Sequence, residues 1–254
     1  MEVSLSSVFE ALPEVEANCQ RQTFRFFDLP FELRSKILSY LLILDRVVDL
    51  DPDNYRAAHH RLHIFLVSQR LYTEASQIFY SSHTFRIFPT HGRFFTHKTK
   101  PLLSRLHKSY RADLTSLELR LGPGWSNPPK SWRVTDALGL EEMMAVRKLK
   151  VFVECDPSHD IFRGFRIGKD FFTDFAAELL ESIIKRLPAL GRVEYDGWPS
   201  VMKEGPLVRR LVAVARQLGK KTVRLGTLRE QEDEMCITES MSEHSIIVIS
   251  AKNA

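Results

Sequence analysis

The chain has 254 residues, 44% hydrophobic and 27% charged, enough apolar material for one large domain or two small ones to fold without metal or disulfides. Its three cysteines, Cys19, Cys155 and Cys236, are scattered and odd in number, which argues against a disulfide framework or a cysteine metal site and suits a reducing compartment. The formal charge of +4 is mildly basic, the start lacks a basic stretch before an apolar core, and no apolar run approaches the roughly 20 residues of a membrane span; a soluble protein of the cytoplasm or nucleus is expected.

Residues 1–23 are mostly polar and read as a mobile tail. A helix is then expected from near Leu29, with Pro30 in its first turn and Glu32 returning a hydrogen bond to the free donors there. At helical spacing Leu33, Ile37, Tyr40, Leu41 and Leu44 form one apolar stripe, and Phe31, Leu38 and Leu42 form a second. Two stripes on one helix mean either burial inside the protein's own core, or one stripe on that core and the other on a partner.

Asp45 to Leu62 is a long polar connection. Asp49, Asp51 and Asp53 imitate the start of a calcium loop, but Asn54 stands where the turn Gly belongs and His60 where the closing Glu belongs. His59 and His63 have zinc-pair spacing without a third ligand, so a solvated linker is the better reading. Ile64 to Tyr80 follows as a helix with Ile64, Val67, Leu71, Ala75 and Ile78 on one face, expected to pack on the first stripe.

The order L-P-x-E-L-x-x-x-I-L-x-x-L from Leu29, then L-V-S-Q-R-L-Y from Leu66, resembles the F-box, a helical module that binds the Skp-type adaptor of SCF ubiquitin ligases. The match covers roughly Phe26 to Phe85, with residues 24–88 as the module, and is most similar to F-box-like proteins of filamentous fungi. Tyr72 stands where the family often has Trp, and the Asp45 to Leu62 connection is longer than usual. The resemblance implies that Leu29, Pro30, Phe31, Leu38 and Leu42 contact the adaptor, which links the chain to a cullin complex.

From residue 89 the pattern changes to helix then strand, repeated. Leu102 to Tyr110 leads to a strand at Leu114 to Leu121, with Leu117, Leu119 and Leu121 inward and Glu118 and Arg120 outward. Leu138 to Arg147 leads to Leu149 to Val153, Phe171 to Leu187 to Val193 and Tyr195, and the helix through Leu207, Leu211, Val214 and Leu218 to Val223 and Leu225. Short connections favour parallel strands with right-handed crossovers, and the loose period is similar to that of irregular leucine-rich-repeat-like units. The expected fold class is therefore mixed α+β and α/β: an F-box-like helical module, then a mainly parallel layer over 89–226. Residues 227–254 read as a polar tail, with Ile246 to Ile249 as a possible edge strand.

Loops at the carboxyl ends of such strands are natural recognition points. Here they carry Trp125 and Trp132, Phe162 and Phe165, and Trp198. These rings either anchor a target protein or fold back as lids over the strand ends. A basic stretch, Lys98, Lys100, Arg105, Lys108 and Arg111, gives a lesser nucleic-acid reading. G-K-K-T at Gly219 to Thr222 reads as a helix stop, and no G-x-S-x-G or nucleophilic Cys signature is present. No cofactor is implied. The expected function is a non-enzymatic substrate-recognition subunit of an SCF-type ligase; the alternative is a scaffold protein with a degenerate F-box.

Overall fold

The computed structural model describes residues 24–90 and 100–228. The expected tails and the Ile246 to Ile249 strand lie outside the described residues, apart from Thr227 and Leu228.

Three helices open the fold: α1 (Phe31–Leu42), α2 (Pro52–Leu62) and α3 (Gln69–Ser82). Pro30 is the N-cap of α1 instead of its first turn, and no side chain caps that end, Glu32 included. The α2 start is built by the aspartates: Asp51 accepts the Asp53 N–H at 3.2 Å, with Pro52 in the first turn. Ser68 caps α3 by accepting the Leu71 N–H at 3.2 Å, so the expected helix from Ile64 begins only at Gln69, after a 3-10 turn at His63–Leu66.

Five parallel strands follow, β1 (Thr84–Arg86), β2 (Ser116–Leu121), β3 (Lys148–Val153), β4 (Arg192–Gly197) and β5 (Lys221–Arg224). They lie side by side in sequence order. Paired residues are offset by 32, 32, 44 and 29 positions along the chain, which is the loose period expected. The strands at 114–121, 149–153, 193–195 and 223–225 were legible; β1 was not, because three residues carry no alternation to read. Its position inside 24–88 joins the helical module to the sheet through one continuous core that runs from Leu38 to Leu228.

Order without reversal has a physical consequence. With crossovers of one hand, every connection passes over the same face of the sheet, and no switch point exists to open a crevice. Leu117, Leu119, Leu149, Val151, Val193 and Tyr195 point to the covered face and are fully buried. There they meet α6 (Phe171–Arg186) and α7 (Pro206–Gln217), which also pack on each other. Tyr195 extends its hydroxyl to the Leu211 carbonyl of α7 at 3.0 Å, and burial holds its phenol well above the ordinary value. Gly219, at φ 69°, ends α7 by donating to the Arg216 carbonyl at 2.9 Å, the expected helix stop.

Two expected helices shrink. Leu102 to Tyr110 breaks into α4 (Leu102–Arg105) and α5 (Lys108–Asp113), because His107 turns out of helix and caps α5 through Nδ1 and the Ser109 N–H at 3.3 Å. Leu138 to Arg147 is replaced by 3-10 turns at Asp136–Leu138 and Leu140–Glu142, divided by Gly139 at φ 64°.

The helical module is tied by His83. Its Nε2 accepts the Leu44 N–H at 2.9 Å and its Nδ1 lies 2.7 Å from the Phe79 carbonyl, which places the proton on Nδ1 and keeps the ring neutral. Burial pushes its pKa below the ordinary 6.5, with the nearby Arg61 acting in the same direction. A depressed histidine contributes stability that is complete above 6.5 and is lost as pH falls below it. The melting temperature is expected to drop between pH 7 and 5, and a His83→Phe variant should be less stable at pH 7.5 yet show a shallower drop. A wild-type slope retained in the variant would assign the effect to other groups.

Candidate protein-docking face

The sequence leaves open which stripe of α1 faces outward, and Arg34 decides it. Its guanidinium meets the Glu74 carboxylate of α3 in a two-pronged pair, Nε to Oε2 and Nη2 to Oε1, both at 2.8 Å, and donates to the Leu29 carbonyl. The hydrogen bond to Glu74 raises the Arg34 pKa, and the same bond holds the Glu74 carboxyl below the usual carboxylate range. Arg70 adds a contact to Glu74 at 3.4 Å and lies 4.5 Å over the Phe27 ring. Arg34, Leu38 and Leu42 are spaced four apart, so fixing Arg34 on α3 turns Leu38 and Leu42 inward with it.

Leu38 and Leu42 are each 1% exposed and belong to the core. Their expected place at the adaptor contact is corrected: they hold α1 on the rest of the protein. Leu33, Ile37, Tyr40 and Leu41, expected to pack on α3, are instead 49%, 45%, 71% and 45% exposed. Four large apolar side chains at i, i+4, i+7 and i+8 make a continuous outward stripe along a helix otherwise secured. Phe31 stays half in solvent at its head, with Arg34 5.8 Å from the ring centroid; Leu29 is half-buried and Pro30 exposed. At the turn into α3, Leu66 and Val67 are also exposed, although Val67 was expected on the packed face.

The aromatic loops divide between the two readings given for them. Trp132 is buried, stacks on Phe88 with centroids 5.7 Å apart, and donates its indole N–H to the Pro89 carbonyl at 3.2 Å. It is a lid, and its expected role as a target anchor is corrected. Trp125 is half-buried on the core and meets Phe162 edge to face at 4.9 Å. Phe165 and Trp198 are exposed.

The loop that presents Phe165 is stitched from within. Asp156 accepts the Ser158 N–H at 3.0 Å and its hydroxyl at 2.5 Å, while Arg166 donates to the carbonyls of Pro157 and Ser158 at 2.9 and 2.5 Å. Ile161, Phe165 and Ile167 are thus held outward on an internally bonded loop; Phe171, which follows it in the chain, is also exposed, as are Trp198 and Met202 after β4. Ile161 and Ile167 were missed by sequence reading; apolar residues without any helical or strand period were their only signal.

Other candidates resolve into structure. Asp49 pairs with Arg86 and Asp51 with the start of α2, and Asp53 contacts Arg56 at 3.0 Å, so the three aspartates serve the insert. The His59 and His63 rings touch at 4.6 Å, but among the described residues no group of three or more His, Cys, Asp or Glu can hold a metal ion. The Cys155 thiol is pushed up to about 11 by burial between Glu154 and Asp156 and stays protonated at neutral pH. Of the basic stretch, Arg111 is committed to Glu142 at 3.0 Å, Lys108 lies 4.0 Å from the same carboxylate, and Lys98 is outside the described residues. No described helix is long and apolar enough to cross a membrane. Comparison with protein-family models, with curated proteins and with solved structures finds no match.

Proposed function

We propose that the chain is a substrate-recognition subunit of an SCF-type ubiquitin ligase, docking on a Skp-type adaptor through α1 and holding a target protein with its α/β region. The observation that carries this reading is the outward stripe of Leu33, Ile37, Tyr40 and Leu41, with Phe31 at its head, on the helix that bears the L-P-x-E-L signature. A buried Leu or Ile contributes roughly 1.5–3 kcal/mol, so three or four such side chains suffice to dominate a standard interface after the losses of association. The sequential parallel strands support a short leucine-rich-repeat-like layer as the target-holding part, with Phe165 and Trp198 as exposed anchors. Ubiquitin transfer belongs to other subunits, and the compartment is the cytoplasm or nucleus.

A scaffold reading has one observation of its own: Leu38 and Leu42 sit in the core shared with the sheet, so the helical module also caps the layer. Co-expression with a Skp-type adaptor separates the two. Wild type is expected to co-purify with the adaptor, and an Ile37→Asp/Leu41→Asp variant is expected to fold with an unchanged melting temperature within a few degrees and to lose the adaptor. Folded wild type that leaves the adaptor behind would make the scaffold reading the correct one.

A further inference from the structure

On the face of the sheet opposite α6 and α7, which among the described residues is uncovered from β3 to β5, charge is laid out in rows, and one row is unbalanced. Register places Lys148, Arg192 and Lys221 side by side at the amino ends of β3, β4 and β5. Neighbouring parallel strands are about 4.8 Å apart, so the three cations span roughly 10 Å. Arg192 is 49% and Lys148 37% exposed at the side chain, and Lys221 is exposed.

The surrounding charges favour the same sign. Glu194 lies beneath the row, 3.0 Å from Arg192 and 4.0 Å from Lys148, and balances one charge of the three. Arg147 and Lys220 immediately precede two of the strands and brace the loop between α6 and β4, donating to the carbonyls of Ala189 and Leu190 at 3.1 and 2.9 Å. The last turn of α6 adds no excess, since Lys185 is paired with Glu181 at 2.6 Å and Arg186 with Asp136 and with Glu141 at 3.8 Å. One register step further, Lys150 is matched by Asp196 at 3.4 Å, so the excess is confined to the amino end.

We propose that this row binds an acidic segment of a target protein, about four residues of clustered Asp or Glu. The proposal deepens the reading of the α/β region as the target-holding part. A peptide suits the row better than a nucleic acid because, among the described residues, no ring stands among the cations to stack on a base. Phe152 shares the uncovered face, but it lies two register steps along β3 from this row, with Arg120 5.0 Å and Lys150 5.6 Å from its centroid.

The test is fluorescence anisotropy of a labelled octaglutamate peptide against the full chain at low and at moderate salt. Wild type is expected to bind, more weakly as salt screens the row. A Lys148→Glu/Arg192→Glu/Lys221→Glu variant is expected to lose about tenfold or more in affinity, three surface charge contacts being removed together. An Arg163→Glu/Lys169→Glu/Lys130→Glu variant changes net charge equally at the other end of the strands and is expected to bind as wild type does. Equal loss in both variants, no binding by folded wild type at low salt, or tighter binding of an eight-nucleotide oligothymidylate would overturn the proposal. Peptide binding by a chain that does not co-purify with the adaptor would leave the row standing and remove the ligase reading.

Discussion

A Leu38→Asp variant is expected to unfold the helical module, while Ile37→Asp, one residue away, leaves the fold intact and removes only docking. Leu38 is 1% exposed and lies on the same side of α1 as Leu42 and the Arg34 pair to Glu74. Truncating a buried leucine costs about 2–5 kcal/mol, and a carboxylate with no partner in that place adds the cost of burying a charge or of protonating it. Against a native stability of about 5–15 kcal/mol, that leaves little or no folded protein at 37 °C. Ile37 is 45% exposed, and an aspartate there meets water. Circular dichroism melts of both variants, run beside the adaptor co-purification, distinguish a lost contact from a lost fold. A Leu38→Asp protein that melts like wild type would mean that α1 is rotated about its axis from the position described.

The second large effect is expected at Arg86, in β1. Its side chain is 8% exposed and lies between two carboxylates, Asp49 of the insert and Glu118 of β2, the latter 3.0 Å away; Nη1 also donates to Thr90 at 3.1 Å. Arg86→Leu leaves both acids facing each other without compensation, a loss of about 3–5 kcal/mol. For a domain of this size that corresponds to a fall in melting temperature of roughly 10 °C. The double variant Arg86→Leu/Glu118→Leu should recover only part of the loss, because Glu118 then leaves with Arg86 while Asp49 stays without its partner. A double variant no better than the single one would show that Asp49 alone accounts for the loss.

Much of the layer is legible in the residue pattern alone. Leu117, Leu119 and Leu121 alternate with Glu118 and Arg120, and helices with clear 3.6-residue stripes precede β4 and β5. The rotation of α1 is not legible, since both of its stripes are apolar and the residue that settles it, Arg34, finds Glu74 forty positions away. Trp132 escapes for a similar reason: its fate depends on the Pro89 carbonyl, a partner no local pattern reveals. The proposed target anchors are half legible, because aromatic residues in loops show where contact is plausible and burial alone separates Trp132 from Phe165.

The two margins of the sheet are finished differently. On the β1 side the insert contributes Val48, which exchanges hydrogen bonds with Thr84 and Arg86 at 2.9 Å and lays one more extended residue along the edge. On the other side β5 pairs only with β4 among the described residues, and its four positions include Lys221 and Arg224, charges that discourage intermolecular pairing. A graft of further helix–strand units onto this scaffold would therefore succeed only downstream of β5. Extension at the opposite margin would have to displace Val48, and with it the Asp49 that neutralises Arg86.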